Sequence, residues 1–123
     1  LIDESYNSNP LSLKFSIEKF DKIKTRNAKY LLLGDMLELG KFSKKLHSNI
    51  ANNINKTQIS KVYVYGKDII YTFNKLRTQK KGKIFKSNSE ILRFINNEIN
   101  NNDYLMVKGS NSTGLNEIIK KLN

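Results

Sequence analysis

Short apolar runs alternate with longer amphipathic segments along the whole chain, and this alternation restricts the fold more than any other feature. Tyr30-Leu-Leu-Leu33 is closed by Gly34, and Val62-Tyr-Val-Tyr65 is closed by Gly66. Apolar runs this short and continuous read as strands buried on both faces, as in parallel sheets. Leu1–Asp3, Lys83–Phe85 and Tyr104–Val107 read as three further strands. Between the strands, apolar residues recur every three or four positions, the spacing of a helix with one buried face. Leu13, Ile17, Phe20 and Ile23, with Leu11 and Phe15, predict a helix over 11–24. Leu46, Ile50 and Ile54 predict one over 42–55, and Ile69, Ile70, Phe73 and Leu76 a third. A fourth carries Ile91, Leu92, Ile95 and Ile99, with Ser87 or Ser89 as its cap and Glu90 in its first turn. Leu115, Ile118, Ile119 and Leu122 predict a closing helix.

Strand followed by helix, repeated in this way, predicts an α/β fold: a mostly parallel sheet with helices on both faces, built from right-handed crossovers. A chain of 123 residues holds one such domain and is too short for two. Ligands bind such sheets beyond the carboxyl ends of the strands. The polar loops at 3–9, 34–41 and 108–114 all follow strands, so they are expected to share that edge.

The net charge of +11 raises nucleic acid or an anionic membrane as partners. Nineteen of the positive residues are lysine and three are arginine, and they are spread along the chain rather than clustered. Arginine is the residue that reads base edges and clamps phosphates with two parallel bonds, so the composition argues against a dedicated nucleic-acid binder. A basic nucleic-acid-binding α/β module is the competing reading. There is no cysteine, which removes disulfides and thiolate metal sites. No apolar run approaches the roughly 20 residues that span a bilayer.

Three stretches carry more polar chemistry than a fold requires. Asp3 to Pro10 combines acids, a tyrosine and asparagines, groups able to hold ribose hydroxyls or phosphate. An Asx-turn leading into a helix would use much the same residues. Residue 1 is leucine, so the chain is expected to begin in mid-protein, at a functional joint. Gly34-Asp-Met-Leu-Glu-Leu-Gly40 offers Asp35 and Glu38, while Met36, Leu37 and Leu39 are too apolar for an exposed loop and should pack on something. His47 is the sole histidine, so no histidine pair for a metal exists, and a lone helical histidine reads as structural before catalytic. Lys108-Gly-Ser-Asn-Ser-Thr-Gly114 could hold an anion at a helix start, but it lacks the order of a phosphate loop.

Taken together and in order, these stretches resemble the C-terminal domain of Mur ligases. Ile2-Asp-Glu-Ser-Tyr-Asn-Ser-Asn-Pro10 is similar to the I-D-[DE]-x-Y-N-A-N-P stretch opening that domain. Leu33-Gly-Asp-Met-Leu-Glu-Leu-Gly40 with His47 resembles its L-G-D-M-x-E-L-G…H, and Val107-Lys-Gly-Ser110 its V-K-G-S. The likeness runs from residue 2 to about residue 119. It is strongest to members that join D-alanyl-D-alanine to UDP-N-acetylmuramoyl-tripeptide.

The resemblance implies a Rossmann-like domain of a cytoplasmic, ATP-dependent ligase of peptidoglycan synthesis. It implies an acyl phosphate made on the tripeptide carboxylate and attacked by the amine of D-alanyl-D-alanine. N-terminal and central domains outside residues 1–123 would carry the UDP sugar, the phosphate loop and the Mg2+ ligands. The domain would therefore be inactive alone, with neither catalytic nor metal-binding residues of its own. Asp3 would face the ATP ribose, with Glu4 next to it, and Tyr6, Asn7 and Asn9 would complete the ATP side. Lys108, Gly109, Ser110 and Asn111 would face the dipeptide. Asp35, Glu38 and His47 match motif positions and are expected to order the loops. Ser8 stands where the family often has alanine, and Asn111 and Thr113 where it often has arginine and methionine. Lys108, Lys120 and Lys121 are the candidate replacements for the missing cation.

Overall fold

The computed structural model describes residues 2–3, 10–36 and 43–109. Its elements are strand β1 (Ile2–Asp3), helix α1 (Pro10–Asp21), β2 (Lys29–Gly34), α2 (Ser43–Asn55), β3 (Lys61–Tyr65), α3 (Ile70–Lys75), β4 (Lys81–Ile84), α4 (Asn88–Asn97) and β5 (Tyr104–Lys108). One 3₁₀ turn, Thr78–Lys80, leads into β4. The five strands form one sheet in the order β1-β5-β2-β3-β4, and every pairing is parallel. The expected closing helix at 115–122 lies outside the described residues.

Strand alternation sorts the core into two layers. Leu31, Leu33, Val62, Val64 and Met106 face one side, under Leu13, Ile17 and Phe20 of α1, Ile50, Ala51 and Ile54 of α2, and Phe73 of α3. Leu32, Tyr63, Leu105 and Val107 face the other side, under Ile91 and Phe94 of α4. Helices thus cover both faces, as the continuous apolar runs require. Each fully buried Leu or Ile here contributes on the order of 1.5–3 kcal/mol. On the α4 side the Tyr63 ring lies 4.0 Å from that of Phe94 and stacks on Phe85 at 5.5 Å. Burial pushes the Tyr63 hydroxyl up to about 12.

Local chemistry sets the helix ends. Ser87 caps α4 by accepting from the Glu90 N–H at 3.2 Å, and Glu90 reaches back to the Lys86 N–H at 3.3 Å. This is close to a capping box, except that the Glu90 side chain meets the N–H one residue before the cap. Lys83 pairs with Glu90 at 3.0 Å, and that bond holds the carboxyl below its ordinary range. Helix α1 ends at Asp21, three residues before the expected 24, because the chain turns there toward a buried lysine. Lys29 donates to the Asp21 and Ile23 carbonyls at 2.7 and 3.1 Å. β4 starts at Lys81 and ends at Ile84, rather than spanning 83–85, because its register with β3 shifts between Val62 and Val64. Phe85 still donates its N–H to Val64 at 2.8 Å.

Two of the positive charges counted toward a polyanion site are spent inside the domain. Lys29 is 6 % exposed and Lys80 is 8 % exposed. Lys80 donates to the Thr57 and Ile59 carbonyls at 2.7 and 2.8 Å, at the amino-terminal edge of the sheet. Burial lowers its pKa from the ordinary lysine value.

Candidate functional site

The register of the central strands brings the sequence candidates to one edge. β5 lies between β1 and β2. Asp3 pairs with Val107, so Lys108 sits one residue beyond it on the neighbouring strand. On the other side, Leu33 pairs with Lys108, which places Gly34 and Asp35 just past that level. Gly34 pairs in turn with Tyr65, so Gly66 leaves the sheet at the same height. Asp3, Asp35, Gly66 and Lys108 therefore mark the carboxyl ends of four strands, where parallel sheets bind ligands.

Each described candidate has its own surroundings. Lys108 is 4 % exposed, and Gly109 is buried beside it. No carboxylate pairs with Lys108 among the described residues. It falls on the same strand face as Met106, toward α1, α2 and α3. Asp35 receives three backbone N–H bonds, from Lys67 at 3.0 Å, Asp68 at 2.9 Å and Ile69 at 2.7 Å. The carboxylate of the β2 loop thus orders the β3 loop and supplies the cap that short α3 does not provide from its own side chains. Met36 is 3 % exposed and joins the core, which meets the expectation that this loop packs inward.

His47 lies in the second turn of α2 and is wholly buried. Neither Nδ1 nor Nε2 has a hydrogen-bond partner among the described residues. Its carbonyl accepts from the Thr72 hydroxyl of α3. Burial lowers the imidazole pKa, and the charges of Asp35 and Asp68 offset this in part. The histidine thus ties α2 to α3 through its backbone, while its ring stays unused among the described residues.

Glu4, Tyr6, Asn7, Asn9, Glu38, Ser110 and Asn111 lie outside the described residues, as do Leu37, Leu39, Thr113, Lys120 and Lys121. For Asp3 the backbone position is described and the side chain is not. Among the described residues, no three His, Asp or Glu side chains gather as a metal-binding group.

Sequence reasoning missed two features. One is which loop Asp35 meets: it was expected to order loops, but its partner, the Gly66–Ile69 turn, was not named, and the signal was a glycine closing β3 just as Gly34 closes β2. The other is a groove of about 710 Å³ between β4 and α4, lined by Tyr63, Gly82, Lys83, Phe85, Arg93 and Phe94 among others. Its signal was Gly82 inside a strand, which lets the Tyr63 ring lie on the backbone. No candidate site residue lines this groove.

The sequence profile of the family described as "Mur ligase, glutamate ligase domain" matches residues 1–111. The chain is similar to the UDP-N-acetylmuramoyl-tripeptide–D-alanyl-D-alanine ligase of Bacillus subtilis (strain 168), with 28 % identity over 99 % of this chain and 27 % of that protein. It is 32 % identical to the enzyme of the same name from Buchnera aphidicola subsp. Baizongia pistaciae, over 99 % of this chain and 26 % of the relative. The chain thus spans about a quarter of the length of the curated relatives it matches. Among solved structures, the fold matches MurF from Acinetobacter baumannii with a TM-score of 0.80, at 21 % identity over 97 % of this chain and 27 % of the other. It matches the Thermotoga maritima MurF ligase in complex with ADP with a TM-score of 0.78, at 20 % identity over 95 % of this chain and 26 % of the other.

Proposed function

The chain belongs to the Mur ligase family, and from that premise we propose that it forms one wall of the active site of an ATP-dependent ligase. That ligase would join D-alanyl-D-alanine to UDP-N-acetylmuramoyl-tripeptide, the reaction named for its curated relatives. The observation that carries the reading is the strand register. It sets Asp3, on the proposed ATP side, beside Lys108, on the proposed dipeptide side, at one sheet edge.

The chemistry divides between this domain and the rest of the enzyme. A tripeptide carboxylate oxygen attacks the γ-phosphorus of ATP, ADP leaves, and an acyl phosphate remains. The dipeptide amine then attacks the acyl carbon, and phosphate leaves. Asp3, with Glu4, accepts from the ribose hydroxyls of ATP, and Tyr6, Asn7 and Asn9 complete that side. Among the described residues no carboxylate pairs with the buried Lys108, and a buried ammonium without an anion is costly, so Lys108 is suited to receive the dipeptide carboxylate. Gly109 lets the chain approach closely there, and Ser110 and Asn111 supply hydrogen bonds. Asp35 holds the edge in shape. The Mg2+ that neutralises the ATP phosphates is assigned to the central domain, along with the phosphate loop. Among the described residues no helix is long and apolar enough to cross a membrane, and a nucleotide-dependent reaction fits a cytoplasmic enzyme.

The test uses the full-length protein. ADP release should require both UDP-tripeptide and D-alanyl-D-alanine, and its absence with both present would sink the reading. Lys108→Met should raise the dipeptide KM by about tenfold to a hundredfold, the cost of one charged hydrogen bond. Asp3→Asn should raise the KM for ATP instead. Asn111→Arg should lower the dipeptide KM, and an unchanged value would mean that another cation already fills the role. The nucleic-acid reading predicts steeply salt-dependent oligonucleotide binding, which a titration at two salt concentrations would reveal.

A further inference from the structure

Leu11 is 79 % exposed and Phe15 is 67 % exposed, the two most exposed large hydrophobics among the described residues. They lie four residues apart in α1, so they form one patch on the same helix face. The opposite face carries Leu13, Ile17 and Phe20, which are buried in the core. The helix is thus apolar on two sides, and the described residues of this domain pack on one of them. Leu11 stands in the first turn of α1, the element that follows β1 in the chain.

We infer that Leu11 and Phe15 dock α1 onto the part of the ligase outside these 123 residues when the site closes over ATP. This rests on the function proposed above. Two observations select that occupant. First, curated relatives are about four times as long as this chain, which covers 26–27 % of them. Second, the patch is small. Two side chains present a few hundred Å², whereas a free-standing partner or a second copy needs about 800 Å² on each side. A tethered domain does not need that area, because the linker holds it at an effective concentration near millimolar. Leu11 follows residues 3–9 closely in the sequence, the stretch proposed above for the ATP side, so the contact belongs to closure rather than to a remote surface.

The experiment uses the full-length protein carrying Phe15→Cys or, as an exposed control on α4, Asn96→Cys, with labelling by a maleimide mapped by mass spectrometry. Docking predicts that position 15 reacts at least about tenfold more slowly than position 96 when ATP and UDP-tripeptide are present. Equal rates at the two positions overturn the inference. Protection that grows with protein concentration also overturns it, because the occupant is then a second copy. A ligation assay of the unmodified protein runs beside it. Failure of that assay removes the functional reading, while the labelling rates still report whether the patch is covered. The double variant Leu11→Ser/Phe15→Ser should raise the KM for ATP severalfold without lowering the midpoint of thermal unfolding, as expected for exposed positions.

Discussion

The Asp35 carboxylate occupies the space that a side chain at position 66 would need. A Cβ built on Gly66 would lie 2.6 Å from Asp35 Oδ1, and Gly66 holds φ at +150°. The two residues leave neighbouring strands, β2 and β3, and fix each other's loops.

Gly66→Ala should therefore destabilise the protein by about 2 kcal/mol or more, from backbone strain and displacement of the carboxylate. Asp35→Ala should cost about 1–2 kcal/mol, the usual loss of a helix-capping side chain. The double variant should cost less than the sum, because removing the carboxylate clears the room that the new methyl group needs. Urea midpoints of the four proteins check this, and strict additivity would count against it.

His47 predicts a pH dependence. Its folded-state pKa is depressed below 6.5, mainly by burial, so the unfolded chain binds the proton more readily. The stability contributed by the neutral ring is complete above about 6.5 and is lost as pH falls through the folded value. His47→Leu should flatten the decline in stability below that pH. At pH 7 it should be near neutral or stabilising, since it deletes two ring nitrogens that have no partner among the described residues. Equal slopes for the two proteins in urea titrations would refute the assignment.

Lys80→Met should destabilise by about 1–3 kcal/mol. It leaves the Thr57 and Ile59 carbonyls without their donor at a buried position. Lys83→Met, by contrast, removes a partner that is 60 % exposed and should shift the thermal midpoint little.

Gly82→Ala should also destabilise, because the added methyl would meet the Tyr63 ring at 2.6 Å. That ring is wedged against Phe85 and Phe94 and has little freedom to yield. Tyr63→Leu in the same chain should recover part of the loss. Thermal unfolding of the pair distinguishes this from a general intolerance of alanine in β4.

Much of this architecture could be read from the residues. Gly34 and Gly66 closed two strands where continuous apolar runs said they would, and Ser87 capped α4. Met36 packed inward because a methionine between two acidic positions has no other reason to be apolar. The ends of α1 and β4 were not legible. Asp21 stops its helix through a bond to Lys29, eight residues away, and β4 is placed by a register shift against β3. Neither cause is local, so no periodicity carries it. At the site, the motif residues indicated which loops mattered, but not that Asp35 spends its oxygens on the next loop. His47 stands three and seven residues before Ile50 and Ile54, so its place on the buried face of α2 could be read, but not that its ring nitrogens find no partner among the described residues.

Among the described residues β5 is the last strand in chain order, yet it sits between β1 and β2. As the chain is synthesised, β2, β3 and β4 can pair with one another first. The inner edge of β2 then stays open until residues 104–108 arrive, and the pairing of Ile2 with Met106 closes a loop of nearly the whole described length. Contacts this distant in sequence slow folding and leave an unpaired strand edge in the meantime. The strand that bears Lys108 thus completes the described sheet, so Asp3, Asp35 and Lys108 reach one edge only after residues 104–108 have paired.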